Sequence, residues 1–204
     1  MNVLMINGSA HSKGCTFTAL SVIGETLKEH QIDSEIVHLG AGNMQDCIGC
    51  NQCKDNRCVF DDICNQIIEK AEKSDGFIFG TPVYYAHPSG MVLSAINRMF
   101  YAGKPAFTHK PGAAIASARR AGTTASVDVL NKYFSISQMP IVSSTYWNMV
   151  HGNTPEEVRK DLEGIQTMKN LANNMAWLLK SIEAGKSQGL KTPENPIVTT
   201  NFIR

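Results

Sequence analysis

The sequence predicts an α/β chain built on a five-stranded parallel sheet with helices on both faces. Three observations predict it. Short apolar runs alternate along the chain with segments whose apolar residues recur at helical spacing. Runs such as Val3-Leu4-Met5-Ile6 are apolar at every position, as strands covered on both sides are. Polar loops then carry the chain from run to helix, which is the repeating unit of a parallel sheet.

The first strand, Val3 to Ile6, stops at Asn7-Gly8-Ser9. From Thr16 to about His30, Phe17, Leu20, Ile23 and Leu27 make the apolar stripe of a first helix. Glu35 to Leu39 is the second strand. A cysteine-bearing loop follows, and Asp61 or Asp62 caps a helix with Ile63, Ile67, Ile68 and Ala71 inward. Gly76 to Gly80 is the third strand, ended by Thr81-Pro82. Ser89 or Gly90 opens a helix that buries Val92, Ala95, Ile96, Met99 and Phe100. Gly112 to Ala118 is the fourth strand, Ala125 to Phe134 the next helix, and Pro140-Ile141-Val142 begins the fifth strand. Thr154-Pro155-Glu156-Glu157 is a capping box with proline at the first helical position, and one helix is predicted from there to Gly185. Residues 1–185 are thus expected to form one domain, with the cysteine-rich loop 44–60 inserted after the second strand. Residues 186–204 read as a polar, proline-bearing surface tail.

A chain of 204 residues buries a full core without disulfides or metals. With 43% hydrophobic and 18% charged residues, a disordered chain is excluded. The net charge of +1, from 19 Lys+Arg against 18 Asp+Glu, gives no basic excess to attract nucleic acid or a membrane surface. No apolar run approaches the ~18 residues that span a bilayer. The opening MNVLMINGS has neither a basic leader nor a small-residue cleavage site. A soluble cytoplasmic protein with no nucleic-acid or membrane partner is the expectation.

In such sheets ligands bind beyond the carboxyl ends of the strands. After the first strand, Gly8 and Gly14 allow tight turns, Ser9, Ser12 and Thr16 offer hydroxyls, and a helix begins at once. The amides at that helix start suit a phosphate, although the loop is neither a Walker A motif nor GxGxxG. A serine-rich cap that binds nothing is the other reading of it. After the third strand, two prolines stiffen Thr81-Pro82-Val83-Tyr84-Tyr85-Ala86-His87-Pro88, and its adjacent tyrosines suit a flat heteroaromatic ring or a subunit contact. After the fourth strand, Arg119 and Arg120 precede Ala121-Gly122-Thr123, where cations would meet developing negative charge or merely form surface ion pairs. Three compatible loops on one sheet edge outweigh any one of them.

Five of the six cysteines, Cys47, Cys50, Cys53, Cys58 and Cys64, crowd into one stretch, whereas Cys15 stands apart. In a reducing compartment such crowding indicates metal or redox chemistry rather than disulfides. The spacing of Cys47, Cys50, Cys53 and Cys58 suits a [4Fe–4S] cubane. Zinc and a set of reduced thiols are the other readings, and Cys64 reads as an inward helix residue.

Together the GSAHSKGCT loop, the cysteine run before Asp61-Asp62, the GTPVYY loop and the ARRAG and YWN segments resemble the flavodoxin-like NADPH-dependent FMN reductase superfamily, in its iron–sulfur flavoprotein branch. The resemblance covers about residues 2–180 and implies a three-layer sandwich with strand order 2-1-3-4-5. It implies FMN, with Ser9, Ser12, Gly14, Cys15 and Thr16 at the phosphate. Pro82, Val83, Tyr84 and Tyr85 would lie along the isoalloxazine, and Arg119, Arg120, Ala121, Gly122 and Thr123 near its pyrimidine end. Ala10 and His11 replace the proline and arginine common in relatives. The implied activity is electron transfer from NAD(P)H through FMN to a quinone, flavin or protein acceptor, with Cys47, Cys50, Cys53 and Cys58 as ligands of any cluster. Hydride transfer to the flavin needs no acid–base side chain, so no catalytic residue is assigned, and His87 and His151 stay unassigned. Homodimers or homotetramers are implied, with Met44, Tyr101 and Trp147 as interface or core candidates. An electron carrier without nicotinamide oxidation is the alternative, and a non-flavin fold-mate a third reading.

Overall fold

The computed structural model describes residues 1–200 and Phe202. In chain order the elements are β1 (Asn2–Asn7), α1 (Cys15–Glu29), β2 (Asp33–His38), α2 (Ile63–Glu72), β3 (Gly76–Tyr84), β4 (His87–Pro88) and α3 (Gly90–Gly103). A 3₁₀ turn at Lys104–Ala106 leads to β5 (Gly112–Ala118), α4 (Thr123–Ile136), β6 (Met149–His151), α5 (Pro155–Lys160) and α6 (Leu162–Ser187).

The sheet has the order β2-β1-β3-β5-β6, with every pair on that path parallel. Register holds the carboxyl ends level: Asn7 is opposite both His38 and Gly80, and Gly80 is opposite Ile115. Side chains alternate across β1 as the pleat requires. Leu4 and Ile6 enter one core with Phe77 and Phe79, under α2, α3 and α4. Val3 and Met5 enter the other with Ile78 and Ile115, under α1 and α6. The first core is aromatic: Phe100 stacks on Phe107 with ring centroids 4.6 Å apart, and Phe79 meets Phe134 at 5.5 Å. At Gly80 a β-carbon would come within 2.8 Å of the Thr16 methyl, so helix α1 sits this close to the sheet only over glycine.

The sheet has six strands where five are expected. The extra one is β4, antiparallel to the end of β3 and pairing Val83 with Pro88 and Tyr84 with His87. Strand β3 therefore runs through Thr81-Pro82 to Tyr84 instead of stopping at Gly80, and the hairpin turns at Tyr85, which takes φ +64°. The edge strand also lies later than predicted. Ile141 makes only a single bridge to Gly112; the chain then bows out over residues 143–147 and rejoins at β6, where Met149 pairs with Ala116.

The long carboxyl-terminal helix is two. Thr154 caps α5 as its sequence predicts, accepting from the Glu157 amide. Asp161 then interrupts: Oδ1 accepts from the Gly164 amide at 2.9 Å, capping α6, and Oδ2 accepts from the His151 amide at 2.6 Å, binding the helix start to β6. No described helix is long and apolar enough to cross a membrane.

Candidate functional site

The carboxyl ends of β1, β3, β5 and β6 frame a cleft of about 260 Å³. Ser9, His11, Cys15 and Thr16 form its floor. Pro82, Val83 and Tyr84 form one wall, Ser117, Ala118 and Arg119 another, and Gly152 and Asn153 close it. Each later loop is hydrogen-bonded to the first. The Ala10 amide donates to Tyr84 Oη at 3.4 Å, Thr16 Oγ1 and Ser117 Oγ share a hydrogen bond of 2.8 Å, and Cys15 Sγ–H donates to the Gly152 carbonyl at 3.6 Å. Burial pushes the Cys15 thiol up, which keeps it protonated for that bond.

Local chemistry leaves this site open to an anion. Helices α2, α3, α5 and α6 each begin on a side chain that accepts from an amide of the first turn: Asp62, Ser89, Thr154 and Asp161. Helices α1 and α4 do not, because their N-caps are Gly14 and Gly122. Neither has an acidic residue in its first turn. Both begin at the sheet's carboxyl edge, so two uncapped positive helix ends meet there. Gly122 is required twice over: its φ is +88°, and a β-carbon would lie 2.7 Å from Val83 Cγ1. Phosphate at the start of α1, with a planar ring against Tyr84, fits this arrangement.

Of the residues predicted from sequence, Ser9, Cys15, Thr16, Pro82, Val83, Tyr84 and Arg119 line the cleft together. Ser12, Gly14, Tyr85, Arg120, Ala121, Gly122 and Thr123 are near it in sequence without lining it. Ser12 lends its carbonyl to Asn7 Nδ2 at 3.3 Å. Tyr85 is fully exposed at the tip of its hairpin, and Thr123 is buried with Oγ1 donating to Met149 Sδ. Sequence reasoning missed His11, Ser117 and Ala118, which line the cleft beside predicted residues, and also the adjacent Gly152 and Asn153. The signal for Gly152 and Asn153 is a polar pair directly after a strand, obscured because the edge strand was placed at Pro140–Val142.

The four cysteines meet elsewhere. Loop 39–62 contains only the turn closed by the Lys54–Arg57 bridge, and Gly49, Asn51, Asp55 and Asn56 all take positive φ. It folds around a cavity of about 180 Å³ lined by Cys47, Cys50, Cys53 and Cys58, with Phe60 and Arg98 behind them. Burial, and then the neighbouring Cys58, Cys50 and Cys47, push the Cys53 thiol up, so the sulfurs are close enough to feel one another's charge. Among the described residues, no group of three or more His, Cys, Asp or Glu side chains is arranged to hold a metal ion. The donor set nevertheless fits a thiolate-ligated iron–sulfur centre: four cysteines on an irregular loop, one cavity, and a buried cation at its wall. Cys64 lies outside the cavity, buried against Met44, and burial pushes its thiol up to about 12.

Asn65 and Arg98 hold this loop. Asn65 accepts from the Cys58 amide at 2.8 Å and donates to the carbonyls of Cys58 and Phe60. Asp62 pairs with Arg98 at 2.6 and 2.8 Å. Burial works against both charges, but their mutual bonds prevail, holding the carboxyl below its ordinary range and the guanidinium above its own.

A doubly wound sheet whose strand-end cleft offers uncapped helix amides and an aromatic wall suits a ligand that joins a phosphate to a flat ring. The model of the NADPH-dependent FMN reductase family matches residues 1–154, which include every loop of the cleft, and the chain belongs to that family. It is an FMN-dependent oxidoreductase. An iron–sulfur flavoprotein of Methanocaldococcus jannaschii is 27% identical over 196 residues, covering 90% of this chain and 100% of the relative. An iron–sulfur flavoprotein of Methanosarcina thermophila is 24% identical over 194 residues, covering 92% of this chain and 100% of the relative. Among solved structures, a flavodoxin from the domain Archaea superposes with a TM-score of 0.59 at 14% identity, over 88% of this chain and 99% of the flavodoxin. The fold is flavodoxin-like.

Proposed function

We propose that this chain oxidises NAD(P)H with FMN held in the strand-end cleft and delivers the electrons singly, through a [4Fe–4S] cluster on Cys47, Cys50, Cys53 and Cys58, to a quinone, flavin or protein acceptor. One observation carries the reading: the four cysteines line a single cavity on a chain whose separate cleft fits a flavin. The relatives named iron–sulfur flavoproteins support it. When bound, FMN supplies a two-electron, hydride-accepting couple and the cluster a one-electron couple.

The chain's own residues bind and orient. The first-turn amides of α1 hold the phosphate, helped by the Ser9, Ser12 and Thr16 hydroxyls and the backbone of Gly14 and Cys15. Pro82, Val83 and Tyr84 would face the ring system, and Tyr85, at the exposed hairpin tip, would reach it only if the hairpin folds over the cleft. Arg119, Arg120 and the turn Ala121-Gly122-Thr123 would bring positive charge and backbone amides to the pyrimidine end of a bound ring. Asn153 joins them from the loop after the last strand. Residues 1–185 act as the flavin domain, and 186–204 as a tail that Asn195 fastens to Gln138 at 2.7 Å. Exposed Tyr101 and Trp147 supply the contacts of a homodimer or homotetramer, whereas Met44 packs against the core.

The test is the visible spectrum and metal content of anaerobically purified protein, followed by stopped-flow mixing with each dinucleotide. Flavin bands over a broad, bleachable shoulder, with about four irons per chain as a cubane requires, and nicotinamide oxidation are expected. Flavin without iron removes the cluster. Iron and flavin without oxidation of either dinucleotide leave an electron carrier.

A further inference from the structure

Arg98 lies on α3, away from the cysteine loop in sequence, yet its side chain is entirely buried against it. Its Nη1 and Nη2 donate to both carboxylate oxygens of Asp62 and to the carbonyls of Gln45, at 3.2 Å, and Phe60, at 3.0 Å. The guanidinium also lies over the Phe60 ring, 5.1 Å from its centroid. These bonds clip the two ends of the loop together and balance the arginine's charge on one carboxylate. One donor remains. Nε–H is aimed at Cys58 Sγ, 3.3 Å away.

That last bond is not explained by loop fastening. A neutral thiol is a weak acceptor, and a guanidinium taken wholly out of water is costly unless each of its donors is matched. A sulfur carrying negative charge repays it. Hydrogen bonds to the sulfurs, and charge in the dry surroundings of a site, are what set the potential of an iron–sulfur centre.

We propose that Arg98 is a positioning residue for the cysteine-held centre, orienting Cys58 through Nε and favouring its reduced form through the guanidinium charge. The inference rests on the cluster reading above. The step concerned is a one-electron transfer from reduced flavin. It makes and breaks no bond, takes up no proton, and leaves one more negative charge on the four-thiolate assembly beside Arg98. Asp62 works in the opposite sense by cancelling part of the arginine's charge.

The test compares the wild type, Arg98→Met, Arg98→Lys and Asp62→Asn as anaerobically reconstituted holoproteins. FMN per chain reports folding, iron per chain reports loading, and a potentiometric titration followed by electron paramagnetic resonance reports the midpoint. In Arg98→Met the reduction equilibrium is expected to fall about tenfold, which is 59 mV for a one-electron couple. Arg98→Lys, which keeps the charge and loses the fork, falls between. Asp62→Asn moves the midpoint upward. A merely structural clip would be broken by both Arg98→Met and Asp62→Asn and would not move them in opposite directions. A wild type that takes up no iron overturns the cluster reading and this inference together. An iron-loaded wild type whose midpoint neither variant moves overturns this inference alone. If Arg98→Met takes up no iron, Asp62→Asn decides: an upward shift supports the assignment, and an unmoved or lowered midpoint removes it.

Discussion

The phenol oxygen of Tyr84 accepts from the Ala10 amide at 3.4 Å, which ties the loop after β3 to the loop after β1 across the cleft. The loops after β1 and β3 are therefore joined across the cleft. Tyr84→Phe keeps the aromatic face and loses this bond. A net hydrogen bond of about 0.5–1.5 kcal/mol corresponds to a rise of roughly 2- to 10-fold in the dissociation constant for FMN. Quenching of flavin fluorescence on titration into apoprotein measures it, and Tyr84→Ala is expected to weaken binding further.

Asp161 holds two elements at once, capping α6 and accepting from the His151 amide. Asp161→Ala removes a cap and strands a backbone amide, which together destabilise by about 2–4 kcal/mol. Urea denaturation at neutral pH reads this as an earlier midpoint. Because His151 immediately precedes Gly152 and Asn153, flavin affinity falls with it.

Gly122 combines φ +88° with a contact that a β-carbon would violate. Gly122→Ala is expected to destabilise by about 1–3 kcal/mol. The methyl must displace Val83, a cleft residue, so flavin binding weakens beyond what stability loss accounts for. Thermal melts with and without saturating FMN separate the two effects.

Alkaline stability turns on Cys64. Its thiol ionises near 9 in the unfolded chain and only near about 12 when buried in the fold. Between those values the native state holds a proton that the unfolded state has lost, so stability present below pH 9 is surrendered as pH rises towards 12. Cys64→Ala is expected to flatten this part of the curve in denaturation series at pH 8 to 10.5, at the cost of a small core cavity. A slope identical to the wild type would assign the alkaline loss to other groups.

Much of this molecule is legible in one sequence because its signals are local. Val3–Ile6 and Gly76–Phe79 are apolar at every position, and Gly14, Asp62, Ser89 and Thr154 stand where helices start. The errors are tertiary. Ile141-Val142 has strand composition, yet only its first residues meet β5, because the chain bows outward before pairing again at Met149. Asp161 lies between the capping box at Thr154 and the apolar stripe that starts at Leu162, and its bonds to the Gly164 and His151 amides explain the break.

The cleft is legible for the same reason, as loops at strand ends, and Gly152 and Asn153 escape notice because of the misplaced edge. Arg98 is a different matter. In sequence it is one of three polar residues, with Ser94 and Asn97, in an otherwise apolar helix, and nothing marks it out from them. Its partners Gln45, Cys58, Phe60 and Asp62 lie in a loop without period or pattern, so nothing short of the folded chain brings them together.

The bowed segment at residues 143–147 has a consequence for how copies of the chain can meet. It leaves β6 only three residues long at one margin of the sheet. At the other margin β2 carries Asp33 and Glu35, the latter held by Lys70 at 2.8 Å. A short strand on one side and a charged one on the other offer poor templates for main-chain pairing with a neighbour. What these margins leave exposed is side chain rather than backbone, among it Trp147 and Tyr146, packed edge to face on the bow.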